Sequence, residues 1–149
     1  MTAHETFLRR AVQLAAANRD RGARPFGALL SCDGEEIATG VNDIVHSGDP
    51  TTHAEMQALR AASHKLGRPD LKGCVMYASG HPCPMCLAAM VMTGIDAVYY
   101  AFDNQDAAPY GLSSETTYRR LGLSLAPPPL PLIRLDTGVS AGQLYGGQP

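Results

Sequence analysis

Residues 74–102, CVMYASGHPCPMCLAAMVMTGIDAVYYAF, decide the fold. Cys74–Ala78 is a short β-prone run, and Gly80–Pro82 breaks it. A helix opens near Cys83 with Pro84 in its first turn, where a missing N–H costs little, and runs through Leu87, Met90 and Val91 to Gly94. Ile95–Phe102 is again strongly β-prone. Strand, helix and strand in this order give a right-handed crossover between parallel strands.

Before this unit the pattern continues. A helix is expected from about Thr52 to Leu66, closed by Gly67 with Pro69 beyond it. Residues 42–52, rich in Asn, Asp, Ser, Gly and Pro, read as a loop. Phe26–Leu30 and Ile37–Val41 flank Asp33-Gly34 and read as a β-hairpin. Phe7, Leu8, Ala11, Val12, Leu14 and Ala15 make residues 5–18 an amphipathic helix. The expected fold is α/β, a mixed sheet with a hairpin at one edge, parallel strands beyond it, and helices on both faces.

After residue 102 the signals weaken. Residues 113–121 suit a helix, Pro127–Pro129 is stiff and extended, and residues 130–135 suit a last strand. The final Gly146-Gly147-Gln148-Pro149 reads as frayed. There is no internal repeat, and the whole of 1–149 is expected to be one domain.

The chain has 149 residues, 12 basic and 14 acidic, and a formal charge of −2. That balance argues against a phosphate backbone as partner, since such affinity is largely electrostatic. No apolar run is long enough for a membrane helix, and the N-terminus lacks the apolar core of a signal peptide. A cytoplasmic location is the expectation. Four cysteines in a reducing compartment then read as thiols or metal ligands rather than a disulfide framework.

Their spacing separates them. Cys32 and Cys74 stand alone in apolar runs, whereas Cys83 and Cys86 form Cys-x-x-Cys at a helix start, where both sulfurs can face one ion. His53 brings the ligand count to three, and no fourth is evident. Three protein ligands with one open position is the catalytic zinc pattern. Glu55 follows His53 by two residues, so the pair converges only if His53 precedes the first helical turn. Glu55 then stands beside the open position as a proton carrier. His-x-Glu with Pro-Cys-x-x-Cys is the zinc deaminase signature. The competing readings are a zinc knuckle or a redox pair beside an unrelated histidine.

At these residues the chain resembles the cytidine deaminase-like superfamily, and within it the small bacterial guanine deaminases. HETFLRRAVQLA, RPFGALL, DPTTHAEMQALRAA, GCVMYASG, PCPMCLAAM and DAVYYAFDNQDAAPYG carry the likeness over most of residues 4–111. The resemblance implies an α/β/α sandwich around a five-stranded sheet, bound Zn²⁺ and a homodimer. It implies that Asn42 hydrogen-bonds the base, that Phe26 forms part of the pocket and that Ala54 lends a backbone N–H. It further places Met92 in the pocket, and lets the tail from about residue 122 cover a dimer partner's pocket with Tyr145 near substrate; Asp106 is a candidate contact by its position on the polar loop after the β-prone run 95–102. From the residues alone, Asn42 reads as a turn residue bonding its own backbone, and the tail as a linker to a frayed end.

The chain departs from that pattern in three places. Val91-Met92 replaces a tyrosine–tryptophan pair, Ser113-Ser114 replaces paired aspartates, and His81-Pro82-Cys83 replaces Glu-Pro-Cys. The zinc chemistry carries over, while the choice of base stays open among guanine, another aminopurine, a pterin and an aminotriazine. A cytosine-type deaminase, a tRNA adenosine deaminase and an idle zinc-binding module are the alternatives. His81 reads either as a pocket residue or as a residue beside a turn.

Overall fold

The computed structural model describes residues 1–147 and contains a five-stranded sheet. Strands β1 (Gly27–Cys32) and β2 (Glu35–Val41) form the expected hairpin. Its turn places Asp33 at φ 53° and Gly34 at φ 81°, the left-handed backbone that an Asp-Gly pair favours. Strand β3 (Cys74–Gly80) runs antiparallel to β1, and β4 (Ala97–Phe102) and β5 (Leu132–Arg134) extend the sheet in parallel. The mixed sheet is therefore as the sequence implies.

Alternate residues of each strand point to opposite faces, so two cores form. Leu29 and Tyr77 meet Leu8, Ala11, Val12 and Ala15 of α1 (Ala3–Asp20) on one face. Ala28, Leu30 and Met76 meet Ala58, Leu59 and Ala62 of α3 (Ala54–Leu66), with Met90 of α4 (Pro84–Thr93), on the other. The result is a three-layer α/β/α sandwich. Among the described residues no helix is long and apolar enough to cross a membrane.

The segment expected to be loop holds one helical turn, α2 (Ile44–Ser47), closed by Gly48. Beyond β4 come α5 (Asn104–Ala107), α6 (Glu115–Arg120) and α7 (Ala141–Tyr145). The tail's end lies on α1 of its own chain, where Arg19 donates to the carbonyls of Gln143 and Leu144 at 3.0 and 2.9 Å. Of the expected frayed end, Gln148 and Pro149 lie outside the described residues.

One cysteine expectation is overturned. Cys32 and Cys74 are direct cross-strand partners of β1 and β3, with Cα atoms 4.2 Å apart, and they form a disulfide. Facing positions in an antiparallel pair bring Cβ atoms together whatever the chain separation, here 42 residues. Neither run carries a local sign of the other, so spacing alone leaves them as thiols. Cys83 and Cys86 remain free.

Candidate active site

Two helix starts meet at one end of the sheet. His53 is the N-cap of α3 with extended backbone, φ −69° and ψ 155°, so it precedes the first helical turn. Cys83 is the N-cap of α4 at φ −70° and ψ 167°, and Pro84 and Cys86 follow within its first turn. N-cap side chains ordinarily accept from their own helix. Here neither does, and both turn toward each other.

Sγ of Cys83 and Sγ of Cys86 each lie 3.4 Å from Nδ1 of His53. Tetrahedral zinc, with bonds of about 2.3 Å to sulfur and 2.0–2.1 Å to nitrogen, requires an S···N edge of about 3.5 Å. All three donor atoms lie within 4.8 Å of one another, and the described residues add no fourth donor to this cluster. A soft pair of sulfurs with one imidazole suits zinc above harder cations. The geometry fits the ion and leaves one coordination position for water or substrate.

The electrostatics agree with a ligand set. The Cys83 sulfur, hydrogen-bonded by Cys86, is brought down to about 4, while that bond and burial raise the Cys86 thiol. The Cys83 hydrogen bond raises His53. Glu55, in the first turn of α3, is 8% exposed; burial, followed by the Cys83 charge, raises its carboxyl to about 7. A carboxyl near neutrality both takes and gives protons at ordinary pH.

Beside these groups opens a cavity of about 420 Å³, lined in part by Phe26, Asn42, Glu55 and His81. Asn42 accepts from Ile44 N at 3.1 Å, as a turn residue does, and it lines the cavity as Phe26 does. Ala54 opens α3, so its N–H has no partner inside the helix.

Three other expectations fare differently. Met92 is 86% exposed on the far side of α4 and lines no part of this cavity. Met90 takes the buried face, and positions two apart on a helix point in different directions. Asp106 sits in a capping box with Asp103 and receives Arg134 at 2.8 Å, so its carboxylate is spent on local structure outside the cavity. Tyr145 is buried against Phe26, Phe102 and Tyr110 of its own chain. It backs the cavity wall through Phe26 and Gly80 instead of lining it.

The structure also brings in residues outside the expected set. Arg24, Leu112, Ser113, Ser114 and Thr117 line the cavity. Tyr118 donates to the Pro82 carbonyl at 2.6 Å and so fastens α6 beside the Pro-Cys-Pro segment. No local pattern places these residues at the cavity; Leu112, Ser113, Ser114 and Thr117 reach it because the segment 111–118 folds back over the end of the sheet.

Comparison with known proteins agrees with this geometry. The model of the cytidine and deoxycytidylate deaminase zinc-binding region matches residues 1–102. A guanine deaminase of Bacillus subtilis is 44% identical over 119 residues, covering 79% of this chain and 76% of that protein. The X-ray structure of guanine deaminase from that organism superposes with a TM-score of 0.78 at 40% identity, covering 91% of this chain and 87% of the other. A tRNA-specific adenosine deaminase of Aquifex aeolicus is 36% identical over 97 residues, 65% of this chain and 64% of its own.

Proposed function

The chain belongs to the cytidine and deoxycytidylate deaminase family, and from that premise we propose that it is a zinc-dependent hydrolytic deaminase of free nucleobases or related amino-heterocycles, of the guanine deaminase type. The observation that carries this reading is the cluster of His53, Cys83 and Cys86 at a cavity that His53, Cys83 and the buried Glu55 line. An idle metal site has no need of a buried carboxyl next to an open coordination position.

His53, Cys83 and Cys86 would hold the zinc, whose Lewis acidity makes water a nucleophile near neutral pH. The chain's own residues do the rest. Glu55 takes one proton of the attacking water and passes it to a ring nitrogen, then takes the second from the newly formed hydroxyl and delivers it to the amino group, which departs as ammonia. Asn42 holds the ring through its amide N–H groups, because its oxygen is already engaged by Ile44. Phe26, just before β1, supplies an apolar wall.

The cavity of about 420 Å³ suits one or two fused rings and falls at the low end of small-molecule sites. We infer a homodimer as well. Val91 and Met92, 45% and 86% exposed on α4, give it an apolar face suited to a second copy.

The deciding experiment is an ammonia-release screen of the zinc-loaded protein over purine and pyrimidine bases, nucleosides and tRNA. Turnover is expected with a free base. Turnover confined to tRNA would replace this reading with an RNA-editing one, and no turnover at all would leave only a metal-binding module.

A further inference from the structure

His81, at the end of β3, is poised by contacts that fix what it offers to the cavity. Its Nδ1 lies 2.9 Å from the Pro82 carbonyl oxygen. A carbonyl only accepts, so Nδ1 carries the ring hydrogen and Nε2 presents a lone pair. The ring is held edge-on by Tyr100 and Tyr118, with centroids 4.9 and 5.6 Å away. Tyr118 also binds that same Pro82 oxygen, so the ring and its anchor are tied to one point. Among the described residues Nε2 has no partner, and it is not among the sealed, unpaired polar atoms. His81 lines the cavity, and Nε2 is the ring atom left to serve a ligand there.

The same cavity is lined by the opposite kind of group. Asn42 follows β2, His81 follows β3, and β1 lies between them. The two residues are therefore two strand spacings apart, about 10 Å along the end of the sheet. Asn42 offers N–H and His81 offers a lone pair. A ring seated between them is bound at an acceptor on one edge and at an N–H on the other.

We propose that His81 is a specificity-determining residue whose Nε2 accepts a ring N–H of the substrate, so that the enzyme selects bases bearing a free N–H on the edge remote from Asn42. This inference rests on the nucleobase deaminase reading and narrows its substrate class: a base substituted at that nitrogen, as in a nucleoside, loses the bond and meets the imidazole. A site built to bond an N–H strongly rejects the analogue that lacks it.

The test is a cycle between side chain and substrate. Zinc-loaded wild type, His81→Phe and His81→Gln are assayed with guanine and its 7- and 9-methyl derivatives, and with cytosine and 1-methylcytosine. The same pairs are titrated against zinc-loaded Glu55→Gln carrying each His81 variant, so that binding is read without turnover. One ring methyl is expected to reduce kcat/KM and affinity at least tenfold in wild type. His81→Phe should bring the parent base down to that level without further loss for the methylated one, and His81→Gln, with its own acceptor oxygen, should recover part. Equal methyl effects in wild type and His81→Phe, or full tolerance of every methyl by wild type, would overturn the proposal. Binding that follows the cycle without ammonia release would retain His81's role and remove the chemistry. Absence of binding by any base removes both.

Discussion

Gly40 runs directly beneath the first turn of α3, so close that a methyl on its Cα would overlap the Ala54 carbonyl oxygen and stand 2.6 Å from Ala58 N. The contact is backbone against backbone and offers no flexible side chain to swing away. It sets the height of α3 above β2, and α3 carries Glu55 and begins at His53. Gly40→Ala is expected to destabilise the protein by about 1–3 kcal/mol, the usual cost of overpacking, and to weaken zinc retention as well. Thermal denaturation with zinc analysis checks this, and a variant with unchanged melting and full zinc would show that the helix is not seated by this contact.

Removing the proton carrier should separate binding from turnover. Glu55→Gln preserves size and leaves the three ligand atoms untouched, so zinc content should stay near one per chain. Turnover should fall by about 10²–10⁴-fold, the span for a positioned proton-transfer group. Steady-state ammonia release alongside metal analysis decides; activity within a few-fold of wild type would refute the role given to Glu55.

Cys86 is fully buried and shares His53 Nδ1 with Cys83. Cys86→Ser should lose zinc and activity together. Chelated wild type should melt lower and recover on adding zinc, by about 2.7 kcal/mol at a hundredfold excess over the dissociation constant. The Cys86→Ser protein should gain little. Equal recovery by both would mean that the ion binds elsewhere.

The Tyr118 phenol is buried, which raises its pKa above the ordinary 10, and it donates to Pro82. A raised folded value means that its stabilising contribution is complete below the unfolded pKa and is lost as pH rises through the folded one. At pH 7–9, Tyr118→Phe should be less stable than wild type by about 1 kcal/mol, the net worth of one hydrogen bond. From pH 10 upward the gap should close. Paired urea melts at pH 8 and 10.5 measure it, and a constant gap would deny the buried hydroxyl this part.

How much of this was legible in the sequence depended on whether the signal was local. The Asp33-Gly34 turn, the glycines ending α3 and α4, and Pro84 in the first turn of α4 are short-range rules, and each element lies close to its expected span. His53 and Glu55 converge because an N-cap is extended, which two residues of spacing already require. The Cys32–Cys74 pairing is invisible for the opposite reason, since register between β1 and β3 arises only in the sheet. Asp106 was misjudged because position after a strand says nothing of Asp103 and Arg134 competing for its carboxylate. Met92 was placed by likeness although the period of its own helix gives the buried face to Met90. Tyr145 depended on a tail path that no periodicity describes.

The metal ligands and Glu55 belong to the beginnings of two helices, whereas Asn42 and His81 belong to the endings of two strands. With the roles proposed for Asn42 and His81, reactivity and choice of substrate sit on separable parts of the chain. A lineage can exchange the residues after β2 and β3 and acquire a new base while the hydrolytic apparatus passes through unaltered, so one shared motif can serve enzymes that share no substrate.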